Sequence, residues 1–278
     1  MHKILLSFLF FCIFSVHTLD LKASHDIFPG GGRAVSMGGA AVTNSDLWSA
    51  FNNQAGLAAL ESVTAGLAYE NQFLLKELGV KAGAVAVPVN SGVFALSLSQ
   101  YGFNLYNENK VGLAYAMNLN ENLSAGVQLD YLLTQIAEDY GRKGVFTFEI
   151  GLMAKLSENI SLGGHIFNPI NVKITDYVEE RIPAIVKFGM RYTFSDVALM
   201  VAEIEKDINH TAVVRFGVEY QIVENIYVRT GVASNPSLFS FGFGLNFRNF
   251  KLDFGTSKHN VLGYTPALSL MYNFNTFN

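Results

Sequence analysis

The chain has 278 residues, half of them hydrophobic and only 15% charged, with a net charge of −4. Soluble domains average about 25% charged residues, so this chain is charge-poor, and its acidic balance offers no nucleic acid a partner surface. Beyond the N-terminus no run of about 20 apolar residues occurs, which argues against helical membrane spans.

Residues 1–18 begin with His2 and Lys3 and continue through an apolar core, Ile4 to Phe14. A positive start, a short apolar core and then smaller polar residues fit a secretory signal peptide, the core being short for a retained membrane anchor. Phe10 and Phe11 stand where lipoprotein processing at Cys12 needs small residues. Cys12 is the only cysteine, so the exported product is expected to use neither disulfide nor thiol chemistry.

Residues 19–61 differ in character, being rich in Gly, Ala, Ser and Asn and holding the only tryptophan, Trp48. Gly30-Gly31-Gly32 precedes no strand–helix unit and reads as flexible backbone rather than a phosphate loop. Asn44 or Ser45 is placed to cap a short helix through Asp46–Phe51.

From residue 62 to 278 one unit repeats: a strand-length run of alternating residues, then a turn. In Lys110–Leu119, one face carries Val111, Leu113, Tyr115, Met117 and Leu119, and the other Lys110, Gly112, Ala114, Ala116 and Asn118. Successive side chains of a strand point to opposite faces, so each strand is greasy on one side and polar or small on the other. About fourteen such runs occur, with Phe250–Gly255 the shortest and Val197–Ile204 apolar on both faces. Short turns such as Asn90-Ser91 and Arg248-Asn249 alternate with longer links, the largest being Asn168–Pro183. An even strand count and alternating short and long connections are those of an outer-membrane barrel. The expected fold is therefore all-β: an antiparallel transmembrane barrel with both ends periplasmic, its lumen plugged from that side by residues 19–61. A soluble sandwich would need a second sheet to cover faces such as Phe239, Phe241, Phe243, Leu245 and Phe247.

With polar faces inward, Gly66, Gly112, Gly126, Gly151, Gly163, Gly189, Gly217, Gly231, Gly242, Gly244 and Gly255 mostly point into the lumen. Glycine in a strand often marks close backbone approach, so the wall is expected to admit an insert. The expected plug residues are Arg33, Met37, Trp48, Phe51, Asn53, Gln54 and Gly56. Inward charges of both signs argue for an internal ion-pair network rather than a selective pore. That network is expected to hold Lys187, Arg191, Arg215, Glu219, Arg229 and Asp253, with Arg215 and Glu219 opposite Arg229. His165 points inward with no serine–carboxylate arrangement around it, and no metal-ligand spacing or cofactor motif appears. No enzyme, cofactor or metal is expected.

Gly31–Ala40 (GGRAVSMGGA) followed by Ser49–Ala58 (SAFNNQAGLA) resembles the opening of the PorV/PorQ-like proteins, grouped with the long-chain fatty-acid transporter (FadL-type) superfamily. Gln54 stands where the family pattern has proline. The resemblance implies a non-enzymatic barrel in a Bacteroidetes-type outer membrane, binding cargo or partner proteins in type IX secretion. The alternative it implies is passive transport of hydrophobic small molecules, with Trp48, Phe51 and Val197–Val201 lining an apolar cavity. Expected partners are outer-membrane lipid, the outer-membrane assembly machinery during biogenesis, and either secretion-system proteins or a hydrophobic small molecule.

Overall fold

The computed structural model describes residues 30–136, 141–173 and 181–274. The signal peptide assigned to 1–18, residues 19–29 of the expected plug, residues 174–180 of the longest link and the last four residues lie outside them. Fourteen antiparallel strands form one closed barrel, each paired with its sequence neighbours and β1 with β14. They are β1 Thr64–Asn71, β2 Gly79–Val89, β3 Gly92–Gly102, β4 Tyr106–Asn120, β5 Leu123–Ile136, β6 Gly141–Lys155 and β7 Ile160–Phe167, then β8 Ile185–Ser195, β9 Ala198–Asp207, β10 Val213–Val223, β11 Ile226–Ala233, β12 Leu238–Phe247, β13 Phe250–His259 and β14 Gly263–Asn273. Closure leaves no strand edge unpaired around the ring, which a membrane demands because lipid offers backbone groups no partner.

The alternation sets the two surfaces. Leu67, Leu96, Leu113, Leu129, Phe188 and Phe243 stand exposed on the outside, whereas Ala82, Ala84, Ala95, Ala114 and Ala116 of the same sheet are buried inside. An apolar exterior that runs right round a barrel belongs in hydrocarbon. Aromatic pairs flank it at both ends. Phe94–Tyr115, Tyr192–Phe194 and Phe250–Tyr272 lie toward the short-turn end, with ring centroids 4.7 Å apart. Tyr131–Phe146 lies toward the other, at 4.9 Å. Such girdles suit the two membrane–water boundaries, where one ring edge meets water and the other lipid. Among the described residues no helix is long and apolar enough to cross a membrane.

Two strands differ from expectation. β13 is ten residues long, because Thr256, Ser257, Lys258 and His259 continue the pairing with β14 although they carry no apolar alternation. β9 extends to Asp207 and has an inward polar half. Glu203 is buried and Glu205 shares its face, so only Leu199 and Val201 make that face apolar.

Residues 30–60 lie inside the barrel. Gly30–Gly32 is not loose backbone, since Gly31–Ser36 forms a helix, α1. The second helix, α2, is Ser49–Asn52, starting later than the capping residues suggest. Its lead-in is held by Asp46, whose carboxylate accepts from the Trp48 backbone N–H at 2.9 Å. A 3-10 turn, Gln54–Ala59, leads to β1, and the Asn53 side chain accepts from Ala55 N at its start.

Candidate functional site

The lumen and the segment within it form the candidate site, and the two meet through three kinds of contact. The first is backbone against glycine. A Cβ added at Gly126 would stand 2.5 Å from the carbonyl carbon of Gln54, at Gly151 2.1 Å from Asn53 Oδ1, and at Gly163 2.4 Å from Val42 O. At Gly217 and Gly231 it would strike Met37, at Gly242 Ser36, and at Gly255 the Gly32 carbonyl. None of these distances is open to a real side chain. Gly32 is the counterpart on the inner segment, 2.3 Å being all that would separate its Cβ from Asp253 O. Gly112 and Gly244 serve differently, leaving room for the side chains of Gln128 and Arg229.

The second contact is apolar. Leu47, Trp48, Ala50, Phe51 and Leu57 pack on Ala82, Ala84, Ala86, Ala95, Ala114 and Ala116 of β2–β4. Small wall residues leave the space that the two stacked aromatic rings, 6.2 Å apart, occupy. Met37 and Ala40 pack on Val201 across the lumen, with Leu199 against them. Trp48 and Phe51 thus do not share an apolar cavity with Val197–Val201. Both groups are filled by the segment itself, on different walls.

The third contact is polar, and the charges expected to form one network gather in three clusters, with Lys187 of the second facing His165 of the third across β7–β8. Arg33 of α1 makes a bidentate pair with Glu219, both bonds 2.9 Å, and reaches Asp46 at 3.4 Å. Arg229 joins Glu219 at 2.5 Å and Asp253 at 2.6 Å. Glu219 and Arg229 are direct partners across β10–β11. Asp253 lies two strands from Arg229 and is reached over Gly244 of β12. Burial opposes the Arg33 charge, but Glu219 and then Asp46 outweigh it and hold the guanidinium above its ordinary value.

Arg215 belongs to the second group, not beside Arg229. Its register partner on β11 is Ala233, too small to pair, and it turns instead to Glu205 at 3.1 Å and Glu203 at 3.7 Å on β9. Lys187 reaches the same Glu205 at 3.3 Å. Glu203 also accepts the backbone N–H groups of Ala41 and Val42, each at 2.8 Å. The two glutamates were missed because the apolar run before them masked the face they share. Arg191 joins neither group and donates to the Thr43 carbonyl.

The third group centres on Glu149, buried on β6. Lys110 pairs with it, His165 Nε2 lies 2.7 Å from it, and Gln54 of the inner segment donates to it at 2.6 Å. Lys110 also reaches Asp130 at 3.5 Å. His165 is thus part of this buried polar group through Glu149. Asn53 donates to Val42 O and Leu152 O, tying the segment to itself and to the wall. Gly56 sits against Asn44 O, a Cβ there falling 2.1 Å away. Every expected residue of the inner segment is thus in contact with the wall or with the segment's own fold.

Above the segment, at the end with the longer loops, is a cavity of about 900 Å³. Its floor is Val35, Gly38, Gly39 and Asn52, and its walls carry Glu70, Tyr101, Tyr106, Glu108, Lys187, Glu205 and Arg215. At the opposite end Ser45, Leu60, Glu61, Lys251 and Asn273 line a smaller recess of about 210 Å³.

No family model matches the chain, and no curated protein matches it in sequence. Solved structures do match in fold. The P. putida toluene transporter TodX aligns with a TM-score of 0.70 at 11% identity, over 89% of this chain and 99% of that one. The CymD monoaromatic hydrocarbon channel aligns at 0.66 and 14%, over 90% and 99%. A Pseudomonas aeruginosa FadL homologue aligns at 0.62 and 14%, over 89% and 98%. The chain has the fold of FadL-type channels. At these identities the likeness is one of architecture, and the neighbours are channels and transporters rather than enzymes.

Proposed function

We propose that this chain is an outer-membrane barrel that lets a small, largely hydrophobic molecule cross passively, with residues 19–61 as a plug entering from the periplasmic side. The observation that carries the reading is a fold shared with hydrocarbon channels, combined with a cavity at the long-loop end whose floor is the chain's own N-terminal segment. The glycine contacts support the plug, because they give that segment a seat which no side chain could share. Uptake into proteoliposomes tests the function. Entry of a labelled aromatic hydrocarbon faster than into protein-free vesicles is expected, and equal rates would refute it.

A second reading, a PorV/PorQ-like protein that binds secretion partners, has its own support. Several described tips at the long-loop end carry exposed apolar side chains, among them Leu74, Leu75, Leu105 and Leu262, with Val261 85% exposed. The short turns at the other end are mostly Asn, Ser, Glu, Asp and Arg, with Leu156 and Val197 the apolar exceptions. Apolar tips in water commonly mark a contact surface. Mass spectrometry of the protein purified from outer membranes separates the readings. Secretion components in stoichiometric amount would favour the second, and a bound hydrophobic compound without protein would favour the first.

A further inference from the structure

The barrel wall sorts its charges by sign and by end. Every Asp and Glu on the described strands faces the lumen, buried like Asp130 and Glu149 or lining the cavity like Glu70 and Asp207. The charged residues on the outward face of those strands are Lys81, Arg142, Lys206 and Lys258, all exposed and all basic. Each lies among the last three residues of its strand at the long-loop end. At the short-turn end the outward face of the described strands is uncharged, with Val89, Leu119, Phe194 and Phe247 in the corresponding places. The cost of facing lipid does not explain this sorting, because an acid is no costlier there than a lysine or arginine. A negatively charged leaflet does explain it, since it draws Lys and Arg toward its surface and repels Asp and Glu.

The sector from β13 through β14 and β1 to β4 shows how that boundary is built. Tyr69, Lys81, Gln100 and Asn109 are register partners and form one outward row across β1–β4. The next outward row toward the short turns is Leu67, Gly83, Leu98 and Val111, which runs on into the Tyr131–Phe146 pair. Hydrocarbon contact therefore stops at the Lys81 row. There Gln100 donates to Asn109 at 3.3 Å and Asn109 to Asn107 at 2.6 Å, a shelf of amides two strands wide. On β13 Lys258 lies opposite Tyr264 and over its ring, 5.7 Å from the centroid. Each of the two lysines thus has a tyrosine beside it on the neighbouring strand. The loops of this sector, 72–78, 103–105 and 260–262, add only Lys76 and Glu77, whose charges cancel.

We infer that this outward girdle, anchored by Lys81 and Lys258, binds the headgroups of anionic, phosphate-bearing lipids in the leaflet at the long-loop end. The lysine stems lie along the apolar wall while the ammonium groups reach the headgroup layer. Ammonium groups hold phosphate oxygens through charge-assisted hydrogen bonds, and the Tyr69 hydroxyl and Gln100 amide are further donors in the same row. The inference needs only a barrel in a membrane and holds under either reading of the function.

Lipid retention tests it. The protein in mild detergent is given an equimolar mixture of dioleoylphosphatidylglycerol and dioleoylphosphatidylcholine, and bound lipid is counted by native mass spectrometry. The acyl chains are identical, so the ratio reports the headgroup. Phosphatidylglycerol should be favoured by about fivefold for each lysine engaged. Lys81→Gln combined with Lys258→Gln should remove most of that excess from a barrel that still runs folded on unheated gels. Lys155→Gln, at the short-turn end and on the lumen side, should leave it unchanged. No excess in the native protein, or an equal loss with Lys155→Gln, would overturn the inference, the latter by showing that only net charge counts. A double variant that keeps the lipid ratio but loses a co-purifying protein would overturn it in favour of a protein contact. Should the double variant fail to fold, salt decides on the native protein. The excess should shrink as ionic strength rises, because contacts between solvated charges are screened, and an excess indifferent to salt would overturn the inference.

Discussion

The inner segment meets two unlike walls. Against β2–β4 the interface is dry: Leu47, Trp48, Phe51 and Leu57 on a bed of alanines. Against β9–β13 it is charged: Arg33 on Glu219, with Arg229 and Asp253 behind, and Glu203 on two backbone amides. Burying large rings against small wall residues is worth several kcal/mol whatever the exact placement, because the hydrophobic effect is non-directional. Ion pairs inside a barrel return little net stability once desolvation is counted, yet they are costly to break and they accept one geometry only. The dry wall thus holds the segment in, and the charged wall fixes how it sits.

The largest expected effect comes from breaking the dry wall. Phe51→Ala removes a fully buried ring and should cost about 3–5 kcal/mol, read as protease cleavage within residues 37–60 of a barrel that still runs as a folded species on unheated gels. Close behind is the charged wall. Glu219→Ala leaves both Arg33 and Arg229 short of a partner and should cost about 3–5 kcal/mol, measured by chemical denaturation in detergent. If Glu219→Ala loosens the segment more than Phe51→Ala does, the division of labour drawn here is wrong.

A substitution on the lipid side sharpens the comparison by sparing both inner walls. Phe241→Arg places a charge on the exposed face of β12 and should cost about 2–4 kcal/mol near the bilayer midplane, as lost folding yield into vesicles with no change in protease access to the segment. Smaller still is Gly126→Ala. It presses a methyl on Gln54 and Ala55 and should cost about 1–3 kcal/mol, seen as a lowered melting temperature.

The barrel itself was legible in residues such as 110–119, where period-two alternation settles strand, face and environment together. So were the inward glycines, since small residues at alternate positions of so many strands point to close approach or to a bend in the wall, and the inner segment is what most of them meet. The pairings were less so. Arg229 finds Asp253 across an intervening strand because Gly244 leaves the gap, and no rule of adjacent-strand pairing reaches that far. Glu203 and Glu205 were hidden by Val197–Ala202, whose hydrophobicity masks a face that turns polar halfway along. The Gly30–Gly32 run reads as loose because local propensity is all a sequence shows there, while α1 is stabilised by its contact with β12–β14, a tertiary effect that overrides propensity.

The measurement that tests the account most directly is a cross-link between the segment and the wall in the native membrane. Ser45→Cys with Met153→Cys puts two thiols in place of side chains that touch between segment and wall, Ser45 Oγ lying 3.5 Å from Met153 Sδ, close enough that a small shift brings them to disulfide geometry. The only native cysteine is Cys12, and a Cys12→Ser background leaves no other thiol to compete. The account predicts near-complete disulfide formation in outer membranes and a shifted band on non-reducing gels. Two free thiols, both labelled by a membrane-impermeant maleimide, would contradict it and place the segment outside the barrel.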